Sequence, residues 1–302
     1  MIEARGVMKK YFVLHPANFK LDGGAMFGII PKPLWSKAIP ADELNRIQLS
    51  LRVMLIQTKT RNILIDTGIG DYHGAKFDDR FGVSGPKDPL LQILKESYGL
   101  NAEDITDLIL SHLHFDHVGG LGHDNGEHTT LFPKATLHIH KQHYEYSLNP
   151  TLRDSGSFQS EFFKPLVEKA NQSGKVNWLT GEEGTILQDE EDEIRFRCSH
   201  GHTPWLVHPY DDKFIYMADL VPTSAHIPVP WVMGYDISPG ITTVNKIEFY
   251  EFITKNNLTM IFEHDMNFWG AKIQKKGEKE FDILKKLSIT EIDPLKSELF
   301  FH

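Results

Sequence analysis

Four side chains able to ligate a metal fall within six residues, in the run Ser111-His112-Leu113-His114-Phe115-Asp116-His117-Val118-Gly119-Gly120. Side chains alternate along an extended chain, so His112 and His114 share one face there. A turn after His114 sends Asp116 and His117 elsewhere, which suits two adjacent metal ions better than one. Neutral imidazole and carboxylate oxygen suit Zn²⁺, and also Fe, Mn or Co. A lone histidine is ordinarily structural; four candidate ligands this close, after an apolar run and before Gly-Gly, point to metal. Two metals about 3.5–4 Å apart can hold a hydroxide between them at neutral pH and polarise a carbonyl or phosphoryl oxygen. That chemistry is hydrolysis with no serine or cysteine nucleophile.

Such residues need rigid elements to bring them together, and each cluster follows a short β-prone run. Leu108-Ile109-Leu110 precedes His112, Ile194-Arg195-Phe196 precedes His200, Ile215-Tyr216-Met217 precedes Asp219, and Met260-Ile261-Phe262 precedes His264. Four strand ends lying side by side converge on one rim. The remaining pattern predicts a hairpin from Ile47–Gln57 and Arg61–Asp66, turning at Thr58-Lys59-Thr60. Strands are predicted over Asp107–Ser111, Ala135–His140, Glu193–Cys198, Trp205–His208, Phe214–Ala218 and Leu258–Phe262. Helices are predicted over Pro89–Tyr98 (stopped by Gly99), Gln159–Ala170, Thr243–Lys255 and Glu278–Leu287. This order fits two packed sheets with helices outside, an α/β (α+β) arrangement in one domain over residues 1–302. Residues 1–46 are dense in Gly, Pro and large apolar side chains. They read as a partly irregular segment, serving either as a cover over the core or as a lid and pocket wall.

The cluster resembles the HxHxDH motif of the metallo-β-lactamase superfamily, and further motifs follow in that family's order. His200-Gly201-His202-Thr203-Pro204 is similar to its GHTP element, Ala218-Asp219 to its bridging aspartate, and Glu263-His264 to its last histidine. Ile65-Asp66-Thr67-Gly68 is similar to the upstream turn whose aspartate supports a ligand by hydrogen bonding. The resemblance implies a four-layer αββα sandwich with the site on its rim. It implies that His112, His114 and His202 bind one divalent metal, that Asp116, His117 and His264 bind the other, and that Asp219 bridges them. Asp116 could also pass a proton to the leaving oxygen. Members of the family that reduce oxygen carry Glu where His114 stands, so the set reads as hydrolytic.

Leu21-Asp22-Gly23-Gly24-Ala25-Met26-Phe27-Gly28 and Ala218-Asp219-Leu220-Val221-Pro222-Thr223-Ser224-Ala225-His226 resemble the branch holding quorum-quenching lactonases and methyl parathion hydrolase. The resemblance implies ring opening of a lactone, such as an N-acyl homoserine lactone, by the hydroxide between the metals. Met26, Phe27, Trp35, Pro222, His226 and Trp231 are the candidate pocket residues. Two departures stand out. The better-known lactonases carry Tyr three residues after the bridging Asp, where this chain has Pro222; the branch often carries Gly after GHTP, where this chain has Trp205. A phosphotriesterase, aryl esterase or thioesterase of the same fold is the alternative, though no basic C-terminal patch for a glutathione-like group is evident. A non-catalytic metal-binding scaffold is the alternative of another class, and the complete ligand set argues against it.

The other histidines, out of 16, are weighed separately. His138, His140 and His143 read as structural or as pocket edge; His123 and His128 read as solvated. His200 lies beside His202, and the Gly-His-Thr-Pro context favours His202 as ligand. Cys198 is the single cysteine, which excludes an internal disulfide and a cysteine-rich zinc site, and suits a reducing cytoplasm. The net charge of −9 disfavours a nucleic-acid partner. No apolar run approaches the roughly 20 residues of a membrane helix, and no signal peptide is evident. The expected partner is a small-molecule ester or lactone, with a homodimer left open.

Overall fold

Short runs of branched apolar residues, buried on both faces, form the centre of the protein. In the structure, a computed structural model describing residues 9–85, 89–123, 129–189 and 192–291, the first half supplies eight strands. They are β1 (Lys10–Leu14), β2 (Asn18–Asp22), β3 (Arg46–Ser50), β4 (Val53–Gln57), β5 (Asn62–Ile65), β6 (Asp107–Ile109), β7 (Thr136–His140) and β8 (Val176–Leu179). A six-stranded sheet runs β1-β4-β5-β6-β7-β8, parallel from β5 onward; β2 and β3 form a separate ribbon. The second half supplies β9 (Glu183–Asp189), β10 (Asp192–Ser199), β11 (Leu206–Tyr210), β12 (Phe214–Tyr216), β13 (Thr259–Ile261), β14 (Phe268–Lys275) and β15 (Phe281–Ser288). These form one seven-stranded sheet in unbroken reverse order.

Period-2 alternation sorts the side chains of each central strand between two cores. On β4 and β5, Met54, Ile56, Ile63 and Ile65 face the second sheet and pack with Phe196, Ile215 and Met260. Their neighbours Val53, Leu55 and Leu64 face outward, under Leu90 and Leu94 of one helix and Phe163 and Val167 of another. The helices are α1 (Gly23–Phe27), α2 (Lys32–Ala38), α3 (Ala75–Phe81), α4 (Pro89–Tyr98), α5 (Phe115–Val118), α6 (Lys141–Ser147), α7 (Ser160–Gln172) and α8 (Pro239–Asn256). α4 and α7 cover the first sheet. α8 covers the second with Phe249, Tyr250 and Ile253. The result is the four-layer αββα sandwich. No helix among the described residues is long and apolar enough to cross a membrane.

Three expectations change. Glu278–Leu287 is not a helix: Phe281–Ser288 is the edge strand β15, paired antiparallel with β14 through two register shifts. Its charged residues favour a helix locally, but Phe281 and Leu287 also fit a strand's alternation and pack against the core. Lys285 and Lys286 on this exposed edge discourage pairing with another chain. Ile47–Gln57 is not one strand, since it breaks after Ser50 and feeds two sheets. The break seats the fully buried Arg52, whose guanidinium donates to the carbonyls of Phe262 and Asp265. The N-terminal segment is more regular than its composition suggested. β1 joins the first sheet, and Asp22 caps α1 by accepting from the Ala25 amide at 2.8 Å. With the β2–β3 ribbon, α1 and α2 bury Phe19, Met26, Phe27, Trp35, Ile47 and Leu49 in a third apolar cluster together with Phe115 and Met233.

Candidate metal centre

Parallel strands β5 and β6 end side by side, and the turns after them carry Asp66 and the His112–His117 segment. The Asp66 carboxylate ties those turns together. It accepts from the Ser111 amide and the Ser111 hydroxyl, both at 2.7 Å. Asp66 adopts φ +60°, a left-handed conformation uncommon outside glycine, which aims its side chain across the strand ends. The glycine pair closing the motif is there for close approach. A Cβ on Gly119 would lie 1.9 Å from the Ile69 carbonyl oxygen, and one on Gly120 2.3 Å from that of Thr67. Gly201 is similarly pressed against Thr242 at the start of α8, which brings His202 to the rim.

Seven side chains from four loops converge, all buried. Ligand atoms of His112, His114, His202 and Asp219 lie within 4.8 Å of one another; those of Asp116, His117 and His264 form an adjoining set. Asp219 reaches both. Its carboxylate lies 3.0 Å from His202 Nε2, 3.1 Å from His264 Nε2, 3.6 Å from His117 Nε2 and 3.8 Å from His112 Nε2. Asp116 lies 3.7 Å from His117 Nε2 and 3.6 Å from His264 Nε2.

The far nitrogens of four imidazoles have acceptors, which fixes their orientation. His202 Nδ1 faces Asp236 Oδ1 at 3.0 Å, and His264 Nδ1 faces the Ser50 carbonyl at 2.8 Å. His117 Nδ1 lies between Asp66 at 3.1 Å and Glu263 at 2.9 Å; His112 Nδ1 meets the Ser111 hydroxyl at 3.0 Å. Each Nδ1 then carries the proton, and each Nε2 turns its lone pair inward. His114 is reversed, with Nδ1 at 3.0 Å from His112 Nε2 and 3.1 Å from His202 Nε2. Lone pairs this close repel unless a cation or a proton lies between them. His117 Nε2 is buried without a hydrogen-bond partner. On these observations the residues fit metal ions.

The charges tell the same story. Burial opposes charging of His202 and His264, yet the Asp219 carboxylate raises both to about 9. Burial and the neighbouring imidazoles hold His112 and His114 well below the usual range. Asp219 is held well below the carboxylate range by His202 and His264, against the effect of burial. Without metal, protons on imidazoles balance the buried carboxylates.

Residues 51–264 match the sequence model of the Metallo-beta-lactamase superfamily. The chain belongs to that superfamily. Among curated proteins it is 25% identical over 191 residues to the N-acyl homoserine lactonase AttM of Agrobacterium fabrum, across 61% of this chain and 66% of that protein. The chain thus spans just under two thirds of that relative's length. An N-acyl homoserine lactonase of Bacillus cereus is 24% identical over 251 residues, across 78% of this chain and 87% of its own. Among solved structures, a probable metal-dependent hydrolase from Staphylococcus aureus superposes with a TM-score of 0.79 at 27% identity, across 94% of this chain and 98% of that one. AidC, a dizinc quorum-quenching lactonase, superposes at 0.70 with 19% identity, across 93% and 95%.

A cavity of about 320 Å³ opens over the cluster, lined by His114, Asp116, His202, Asp219 and His264 below and by Leu21, Met26, Phe81, Phe115, Met233 and Tyr235 around it, with Arg153 beside them. Of the six pocket residues read from sequence, Met26 lines it. Phe27 and Trp35 lie behind, stacked at 5.3 Å, and His226 stacks on the other side of Phe27 at 4.6 Å. His226 also faces the Met26 carbonyl, and Trp231 packs edge-on to Phe27. Pro222 is buried, its carbonyl accepting from the His264 amide at 3.0 Å. These residues hold the wall rather than form its surface.

The other described histidines weighed in the sequence are tied into the fold outside the cluster. His138 pairs with Asp107 at 2.8 Å, and His140 stacks on Trp205. His143 connects two ligand loops, accepting from the Leu113 amide at 2.9 Å and facing the Pro204 carbonyl at 2.8 Å. His200 faces Glu182 at 2.9 Å and takes no part in the cluster. His123 is half-buried, 3.5 Å from Asp71, and His128 lies outside the described residues. Cys198 is buried and free. Trp205 has φ +61°, a left-handed backbone that favours glycine. Sequence reasoning missed Asp236, Glu263, Arg153 and Tyr235 as site residues. Glu263 sits beside His264 in a motif already read, and its role shows only through its contact with His117; Asp236, Arg153 and Tyr235 reach the site from loops distant in sequence from the first histidine cluster.

Proposed function

We propose that this protein is a dinuclear metal-dependent hydrolase that opens a lactone, an N-acyl homoserine lactone being the leading class. One divalent ion would be held by His112, His114 and His202, the other by Asp116, His117 and His264, with Asp219 shared; imidazole and carboxylate donors suit zinc. Ions bound there would polarise a carbonyl oxygen and make hydroxide available at neutral pH. The observation that carries the reading is a single carboxylate, Asp219, reaching histidines of both sets at the floor of an apolar-walled cavity.

The chain's own residues supply orientation and proton handling. Asp236, Ser50, Asp66 and Glu263 fix the imidazoles. Asp116 borders the cavity, and its carboxylate is the group that would deliver a proton to the leaving oxygen. Burial, with the Asp22 and Asp116 carboxylates nearby, pushes the Tyr235 phenol up to about 12, so it stays a hydrogen-bond donor. Tyr235 lines the cavity, whereas Pro222 is buried behind His264, so Tyr235 is the phenol available to orient a substrate carbonyl. Leu21, Met26, Phe115 and Met233 offer an acyl chain an apolar path.

A second reading, aryl ester or phosphotriester hydrolysis, draws on the aromatic rings of Phe81, Phe115 and Tyr235 in the same wall. Turnover of zinc-loaded protein on hexanoyl homoserine lactone, 4-nitrophenyl butyrate and paraoxon separates these. Preference for the lactone supports the first reading, and preference for either nitrophenyl compound supports the second. Absence of all three activities from fully metallated protein contradicts both.

A further inference from the structure

Arg153 stands out among the cavity's residues because nothing in the hydrolytic reading uses it. It lies in the turn between α6 and α7, exposed, where it lines the cavity together with His114, Asp116 and Tyr235. Its Nη2 donates to the carbonyls of Gly234 and Asp236. Those contacts fix the guanidinium at the mouth and leave the Nε and Nη1 donors without a protein acceptor among the described residues. No carboxylate pairs with it there either. The adjacent Asp154 is taken by the hydroxyls of Tyr146 at 2.6 Å and Thr151 at 2.5 Å. Elsewhere in the molecule Arg46, Arg61, Arg195 and Arg197 each pair with a carboxylate.

An unpaired, pre-positioned guanidinium at a cavity mouth, in a chain of net charge −9, is built to receive an anion. With Nη2 taken by the two carbonyls, Nε and Nη1 can each still donate a single charge-assisted hydrogen bond to a carboxylate oxygen. We infer that Arg153 is a specificity residue that binds a carboxylate carried by the substrate away from the scissile bond. The substrate class is then an ester or lactone whose acyl chain crosses the apolar wall at Met26 and Met233 and ends in an acid group at the mouth. This rests on the proposed hydrolytic function and narrows its substrate.

The test compares mono(4-nitrophenyl) glutarate with 4-nitrophenyl butyrate on zinc-loaded wild type, Arg153→Met and Arg153→Lys. Using the ratio of kcat/KM for the two esters cancels any displacement of the 234–236 loop common to both substrates. Wild type favours the glutarate, and Arg153→Met lowers the ratio about 10- to 100-fold, mainly through KM, the range for one hydrogen bond to a charged group. Arg153→Lys falls between them. A ratio unchanged in Arg153→Met, or a wild type that prefers the butyrate, overturns the assignment. If wild type hydrolyses neither ester, turnover of hexanoyl homoserine lactone by the same sample decides the hydrolytic reading by itself. Calorimetry with glutaramate against butyramide then decides Arg153 separately: weaker glutaramate binding in Arg153→Met upholds it, and equal binding overturns it.

Discussion

Replacing Asp236 tests whether the geometry around the cluster is built for metal. Its Oδ1 faces His202 Nδ1 at 3.0 Å, while Oδ2 accepts from the Thr242 hydroxyl at 2.8 Å and the Met233 amide at 3.3 Å. Asp236→Ala frees the His202 ring to rotate or change tautomer, so its Nε2 lone pair is no longer held inward. Loss of such an orienting carboxylate typically weakens metal binding about 10- to 100-fold, which is roughly 1.4–2.7 kcal/mol. The same change strands a buried hydroxyl and a buried amide, a further cost to folding of about 1–3 kcal/mol each at most. Titration of zinc against a chelator of known affinity reads the first effect, and urea unfolding of metal-free protein reads the second. Both should fall. Zinc affinity within twofold of wild type, with only stability lowered, would refute the reasoning and make Asp236 a loop anchor alone.

Trp205→Gly should be close to neutral. It relieves a left-handed backbone worth roughly 1–2 kcal/mol and loses a ring stack on His140 worth about 0.5–1.5 kcal/mol; a loss above ~3 kcal/mol in urea unfolding, the range of an ordinary buried Trp truncation, would contradict this. Tyr235→Phe should lower kcat on a lactone about 10-fold or more with unchanged metal content, and wild-type kcat would remove the phenol from the mechanism. His202 and His264 are raised from 6.5 to about 9 in the metal-free protein. A raised folded pKa stabilises fully below the unfolded value and loses that contribution as pH rises through the folded one. Chelator-treated protein should therefore lose thermal stability from pH 6.5 towards 9, while metal affinity rises across the same window as protons are displaced. A melting temperature independent of pH in the metal-free protein contradicts the charge balance drawn here.

The sandwich was legible where apolar runs were short and ended in polar motifs. Asp107–Ile109, Phe214–Tyr216 and Thr259–Ile261 are strands for that reason, and the motifs after them and after β10 bring His112, His114, Asp116, His117, His202, Asp219 and His264 together. Phe281–Ser288 was not legible, because its lysines and aspartate satisfy helical spacing as well as strand alternation, and pairing with β14 decides between them. The N-terminal helices were hidden by glycine and proline, used there for capping and helix starts rather than for loops. The pocket wall was half legible. Aromatic side chains near the site were visible, but stacking places Phe27, Trp35 and His226 one layer back, while Tyr235 and Arg153 reach the cavity from loops whose positions depend on the tertiary fold.

The central claim is that one aspartate joins two metal sites. The direct measurement is metal content by mass spectrometry on zinc-reconstituted wild type and Asp219→Ala, with lactone hydrolysis followed on the same samples. Wild type should hold about two ions per chain, and Asp219→Ala should hold fewer and turn over nothing. Two ions retained in Asp219→Ala with normal turnover, or a wild type that binds none, would contradict the account.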